Sequence, residues 1–108
     1  MLVVVAFRFC QLVSQGQPIY GDPAQGFEYN NYLDDVVKVS YGMDVKGHEQ
    51  EWWGGVTVQP GSQRVEYVML EGQGVEIRVT TMSGNVVYDR YYRWEDFPKG
   101  EKFVITIE

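Results

Sequence analysis

The sequence predicts an all-β chain: an antiparallel β-sandwich of seven or eight strands, with a small β-barrel as the alternative. Three observations lead there. Val75 to Trp94 reads as two alternating strands joined by a tight turn at Ser83-Gly84-Asn85. Short alternating runs recur along the chain, separated by turn residues roughly every eight to twelve positions. No segment carries an apolar stripe of helical period; the nearest candidate, Asn30 to Val37, lacks one.

The elements follow in order. Val3, Val5, Phe7 and Phe9 alternate with Val4, Ala6, Arg8 and Cys10, giving a long first strand that ends near Val13. Ser14 to Gly26 holds three glycines and two prolines and reads as a long loop. Phe27-Glu28-Tyr29 starts a short strand. Val36 to Tyr41 is a clearer one, with Val37, Val39 and Tyr41 on one face and Lys38 and Ser40 on the other. Gly42 to Gln50 is a polar loop. Glu51 to Val58 is strand-like, and Gly54-Gly55 inside it signal a bulge or a close approach.

Pro60-Gly61-Ser62 is a turn. Arg64 to Leu70 follows, with Val65, Tyr67 and Met69 alternating against Glu66 and Val68. Gly72-Gln73-Gly74 leads into the hairpin. A two-residue turn at Ser83-Gly84 pairs Val79 with Tyr88, Val75 with Tyr92 and Arg78 with Asp89, and sets Arg90 beside Ile77. A three-residue loop would instead move Asp89 to the apolar face. Trp94 to Gly100 is a loop, and Lys102 to Glu108 closes the chain with Phe103, Ile105 and Ile107 on one face.

VEIRVTTMSGNVVY followed by PKGEKFVITIE gives strand, turn, strand, loop and closing strand. This last third, Gly72 to Glu108, resembles the C-terminal strands of immunoglobulin-like and fibronectin type III-like domains. The resemblance implies a sandwich and a binding role. The cysteine pair of antibody domains is absent, and the loop from Ser14 to Gly26 departs from the pattern.

Composition limits the function classes. A chain of 108 residues has room for one domain, 1–108, with one core. The net charge of −6, with nine basic residues scattered along the chain, gives no basic footprint for nucleic acid. Cys10 is the only cysteine, so no disulfide forms within the chain. Leu2 to Phe7 is apolar but short, lacks a basic flank and runs into Arg8, so it reads as strand, not as a signal peptide or membrane span. One cysteine and no visible leader lean toward the cytoplasm.

Catalytic and metal chemistry find little to work with. His48 is the only histidine, and its neighbours Asp44, Glu49 and Glu51 match no metal-ligand spacing. Asp22, Asp34, Asp35 and Asp44 supply loop oxygens for calcium without a pattern that organises them. No nucleophile elbow, phosphate loop or dinucleotide fingerprint is present. A carboxylate pair acting as a small hydrolase is the one enzymatic alternative. No cofactor is expected.

The aromatic residues, 15% of the chain, point to binding. Trp52 and Trp53 are adjacent, so in a strand they face opposite sides: one joins the core and the other is exposed. Tyr91-Tyr92 repeat the arrangement and run into Arg93-Trp94. Exposed aromatics beside arginine anchor interfaces. The expectation is a non-catalytic, protein-binding module with Trp52, Trp53, Tyr91, Arg93 and Trp94 as contacts. Sheet edges at the first strand or at Lys102-Phe103-Val104 would serve for partner addition or self-association. The second expectation is a carbohydrate-binding module with an exposed Trp platform, helped by Tyr29-Asn30-Asn31-Tyr32.

Overall fold

The computed structural model describes residues 24–44 and 50–108. Among them are seven strands: β1 (Ala24–Asn31), β2 (Val37–Met43), β3 (Glu51–Val58), β4 (Gln63–Met69), β5 (Gly74–Thr81), β6 (Val86–Arg93) and β7 (Phe103–Ile107). One short 3-10 turn, Trp94–Asp96, interrupts the loop before β7. The expected first strand and most of the Ser14–Gly26 loop lie outside the described residues. β1 begins at Ala24, three residues before Phe27.

Two sheets pack face to face. One has the order β4-β1-β7, the other β3-β2-β5-β6. The sandwich expectation holds, and the barrel alternative does not, because the two sheets stay separate. One pairing departs from the antiparallel rule. β7 crosses over from the other sheet and runs parallel to β1, with Phe27 opposite Phe103 and Asn31 opposite Ile107.

The core comes from alternate residues of β1, β2, β5 and β7. Phe27 and Tyr29 of β1, Val37, Val39 and Tyr41 of β2, Val75, Ile77 and Val79 of β5, and Ile105 and Ile107 of β7 are all buried. Their spacing of two is what the pleat requires for one shared face. At one end an aromatic group closes the core. Phe97 sits 5.2 Å from Phe27, 5.2 Å from Tyr92 and 5.1 Å from Phe103, ring centre to ring centre. These tilted and edge-on contacts suit the charge distribution of aromatic rings.

The hairpin reaches its predicted register by a different route. Val79 opposes Tyr88, Arg78 opposes Asp89 and Val75 opposes Tyr92, as the pairing of apolar and charged residues requires. The loop, however, has three residues, Met82-Ser83-Gly84. The Thr81 N–H donates to the Asn85 carbonyl at 2.9 Å, and Gly84 takes a positive φ of 96°. The register then shifts between Val79 and Thr80, where Val87 is the extra residue on β6. That bulge undoes the slip that a three-residue loop would impose. Asp89 therefore stays on the charged face, 3.0 Å from the Arg78 guanidinium.

The corner between β3 and β4 passes from one sheet to the other through Gln59-Pro60-Gly61-Ser62. Ser62 N–H donates to the Gln59 carbonyl at 3.1 Å and Gly61 has φ 69°, as a Pro-Gly turn demands. Buried Asn31 clamps this corner. Its side-chain amide donates to the carbonyls of Asp35, Val58 and Gln59 at 2.8, 3.1 and 3.3 Å, and its carbonyl accepts from Leu33 N–H at 2.9 Å.

Candidate functional site

The strand β4 is where the structure departs most from a simple burial pattern. It is an edge of its sheet among the described residues. Its inward residues are Glu66 and Val68, opposite Phe27 and Gln25 of β1. The apolar series Val65, Tyr67 and Met69 faces outward, at 38%, 39% and 42% exposure. The larger apolar set lies on the solvent face and a carboxylate points in, so alternation alone assigns the faces wrongly here.

Glu66 is held by a chain of bonds that zigzags between the sheets. The Tyr41 hydroxyl donates to Glu66 Oε1 at 2.8 Å, and the Val56 N–H donates to the same oxygen at 3.1 Å. Tyr29 and Tyr41 share a hydroxyl contact of 2.6 Å. With the Tyr41 proton committed to Glu66, Tyr29 is the donor in that pair. Burial pushes the Glu66 carboxyl above the ordinary carboxylate range, partly offset by the Tyr41 and Val56 hydrogen bonds. Burial likewise raises both tyrosines, most of all Tyr41.

The predicted bulge in β3 makes room for this arrangement. The β2–β3 register shifts between Lys38 and Ser40, opposite Gly54 to Thr57. A Cβ on Gly55 would lie 2.6 Å from the Tyr41 ring and 2.7 Å from Glu66 Oε1, whereas one on Gly54 would meet nothing within 4 Å. The bulge turns the Val56 N–H out of the ladder, and Glu66 satisfies it.

Between β3 and β4 the sandwich is open. A cleft of about 310 Å³ lies there, lined by Trp53, Tyr41, Met43 and Met69, with the carboxylates of Glu66 and Glu71 also on its wall. Trp53 pairs with Tyr41 across the ladder and so faces inward, at the open margin.

The residues expected to bind do not form one surface. Trp52 and Trp53 do face opposite sides, but neither is core: they are 39% and 40% exposed. The reason is position, because β3 is an edge strand and nothing among the described residues covers its margin. Trp52 lies on the outer face of the four-stranded sheet, with the Arg78 guanidinium 4.3 Å above its ring centre. Tyr91 lies on that same face at the far edge, where its hydroxyl donates to Asp44 at 3.4 Å. In the ladder the row runs Trp52, Gly42, Glu76, Tyr91, so three strand spacings, about 14 Å, separate the two aromatics.

Trp94 has a structural task. It packs on Phe97 with ring centres 5.7 Å apart, and its indole N–H donates to the Glu71 carbonyl at 2.9 Å, pinning the β4–β5 turn. Arg93 is exposed and pairs with Glu95 at 3.1 Å. Of the set expected to assist sugar binding, Tyr29 and Asn31 are buried and committed to the fold. Met43, Glu66, Tyr67 and Met69 gave no functional signal. A lone acid among alternating apolar residues, one strand after a Gly-Gly pair, is the trace that could have pointed to the cleft.

The chain matches no family model, no curated protein and no solved structure. Among the described residues, no group of three or more His, Cys, Asp or Glu is placed to hold a metal ion. His48, Glu49 and Asp22, which entered the metal readings, and Cys10 lie outside the described residues. No helix among the described residues is long and apolar enough to cross a membrane.

Proposed function

We propose that this domain is a non-catalytic protein-binding module, and that its contact surface is the open β3–β4 side of the sandwich. The observation that carries the reading is the outward series Val65, Tyr67 and Met69 on an edge strand, beside half-exposed Trp53. An edge strand offers unpaired backbone donors and acceptors, and alternate side chains on it read a partner's sequence. The partner this geometry fits is an extended segment that adds to β4 and lays apolar residues along the stripe. Such an edge also allows a second copy of the chain to take the partner's place. The immunoglobulin-like likeness of the last third agrees with a binding role.

A sugar platform is less well supported. Arg78 already occupies one face of Trp52, and Tyr91 stands too far away to share a single ring with it.

Selection from a random peptide display library tests the reading. The wild type is the bait, and a folded Val65→Lys, Met69→Lys variant serves for counter-selection. Enriched peptides that protect the amides of residues 63–69 from hydrogen exchange support it. Absence of enrichment, or protection confined to other strands, overturns it. A dimer that forms with rising concentration and is lost in the variant identifies a second copy as the partner.

A further inference from the structure

We propose that the cleft between β3 and β4 is a pocket for an organic cation on an apolar stem: the lysine or arginine side chain of a bound segment. This rests on the protein-binding reading and names the chemistry that reading would recognise.

The lining has the two components such a ligand needs. Trp53 and Tyr41 bring π-faces, and Met43 and Met69 bring soft apolar surface for an alkyl stem. Glu66 and Glu71 bring negative charge, and among the described residues no basic residue lines the cleft. The nearest basic side chain on β4, Arg64, turns its guanidinium toward the Thr57 carbonyl at 3.4 Å. The whole chain carries −6, so the long-range field also favours a cation.

The position of Glu66 favours the same ligand. Both recorded bonds to its carboxylate, from Tyr41 and Val56, go to Oε1. Among the described residues Oε2 has no donor. A half-buried carboxylate with one oxygen unmatched gains from a charge-assisted hydrogen bond, because the protein shields it in part from water. A neutral apolar side chain would fill the volume and leave that oxygen without a partner.

The test uses n-butylammonium and n-butylguanidinium, with n-butanol as the neutral isostere. Binding is followed by Trp fluorescence and by the NMR signal of the Trp53 indole N–H. The expected result is saturable binding of a cation, with butanol at least about tenfold weaker. Glu66→Gln, which keeps an acceptor for Tyr41 and Val56, should weaken the cation about tenfold and leave butanol unchanged. Trp53→Leu provides a second variant and should weaken both cations. Arms that differ in affinity show whether the slot prefers the ammonium or the guanidinium. Equal binding of butanol and the cations, or no saturable binding of either cation, overturns the proposal. Display peptides that dock along β4 with no preference for a basic residue would sink the cation pocket and leave the protein-binding reading standing. Cation binding with no peptide enriched would do the reverse.

Discussion

The Tyr41 hydroxyl and Glu66 Oε1 lie 2.8 Å apart, and that bond joins the two sheets. Tyr41 belongs to the four-stranded sheet and Glu66 to the three-stranded one. The same oxygen receives the Val56 N–H from the bulge on β3. Removing the carboxylate therefore takes the acceptor from two donors, the buried Tyr41 hydroxyl and the half-buried Val56 N–H. Glu66→Ala is expected to lower the unfolding free energy by about 2–4 kcal/mol in urea denaturation, since each orphaned donor costs roughly 1–3 kcal/mol. Glu66→Gln keeps the acceptor and should stay within about 1 kcal/mol of wild type near neutral pH. A Gln variant as damaged as the Ala variant would contradict this account.

The pH dependence has a definite sign. Burial raises the folded-state pKa of Glu66 above its ordinary value of 4.5. The folded chain thus holds this proton more tightly than the unfolded chain. The contribution of Glu66 to stability is full below about pH 4.5 and declines as pH rises through the folded value. Glu28 acts oppositely: hydrogen bonding from Asn30 and the Lys102 ammonium hold its carboxyl below the ordinary range. Its contribution is lost as pH falls through that lowered value. The difference between wild type and Glu66→Gln, measured from about pH 4.5 to 8, isolates the first effect. Wild type should lose stability relative to the variant as pH rises; a flat difference would refute the assignment.

Gly54 and Gly55 are adjacent and should respond differently to alanine. At Gly55 the new methyl meets the Tyr41 ring and the Glu66 carboxylate. Gly55→Ala is expected to cost about 1–3 kcal/mol, in the range of overpacked interiors. Gly54→Ala adds a methyl to open space and should change stability by no more than about 0.5 kcal/mol. Parallel thermal melts compare the two directly.

Asn31 provides a third stability test. Its amide donates to three carbonyls around the β3–β4 corner. Asn31→Ala should cost about 2–4 kcal/mol, because buried carbonyls lose their donor and the Leu33 N–H loses its acceptor. Asn31→Asp should not restore it, since a carboxylate cannot donate. Recovery in the Asp variant would show that the amide donors are dispensable.

The bulge at Val87 predicts that β6 tolerates the loss of one residue at that point. Without Val87 the ladder runs regularly from Thr80–Val86 to Val79–Tyr88, and every other pair keeps its partner. That variant should fold, losing about 1–2 kcal/mol for the half-buried valine. Deleting Tyr88 instead brings Val87 opposite Val79 and keeps the later pairs, so this variant should also fold, losing in addition the Tyr88 hydroxyl contact with Tyr92; loss of the cooperative transition in either variant would contradict the bulge. Circular dichroism melts of both variants decide it.

Most of the fold was legible in short-range pattern. Val37, Val39 and Tyr41 in β2 and Phe103, Ile105 and Ile107 in β7 alternate as a half-buried strand must, and they fall on the core face. Arg78 and Asp89 fixed the hairpin register because opposite charges and apolar pairs agreed on it. The loop length was not legible: a three-residue loop with a compensating bulge and a two-residue turn give the same pairing farther along. The faces of β4 were not legible in its alternation, because burial depends on the sheet opposite and here the more apolar series faces solvent. The site was the least legible part. Adjacent aromatics announced half-exposed side chains, yet Trp52 and Trp53 part company across a sheet, and the Glu66 pocket depends on residues from four strands brought together only by packing.

The parallel pairing of β1 with β7 sets the order in which the molecule can form. Gln25 and Glu101, bonded through the Gln25 amide, are 76 positions apart. β1 is the central strand of its sheet, so one of its two ladders waits for residues made long after it. Until then β1 and the aromatic group around Phe97 cannot close together. Contacts between such remote positions are slow to form, because the chain's freedom is lost before they give anything back. The hairpin β5–β6 is local and forms early; the three-stranded sheet closes last. On the ribosome this sandwich stays unfinished until β7 has left the exit tunnel.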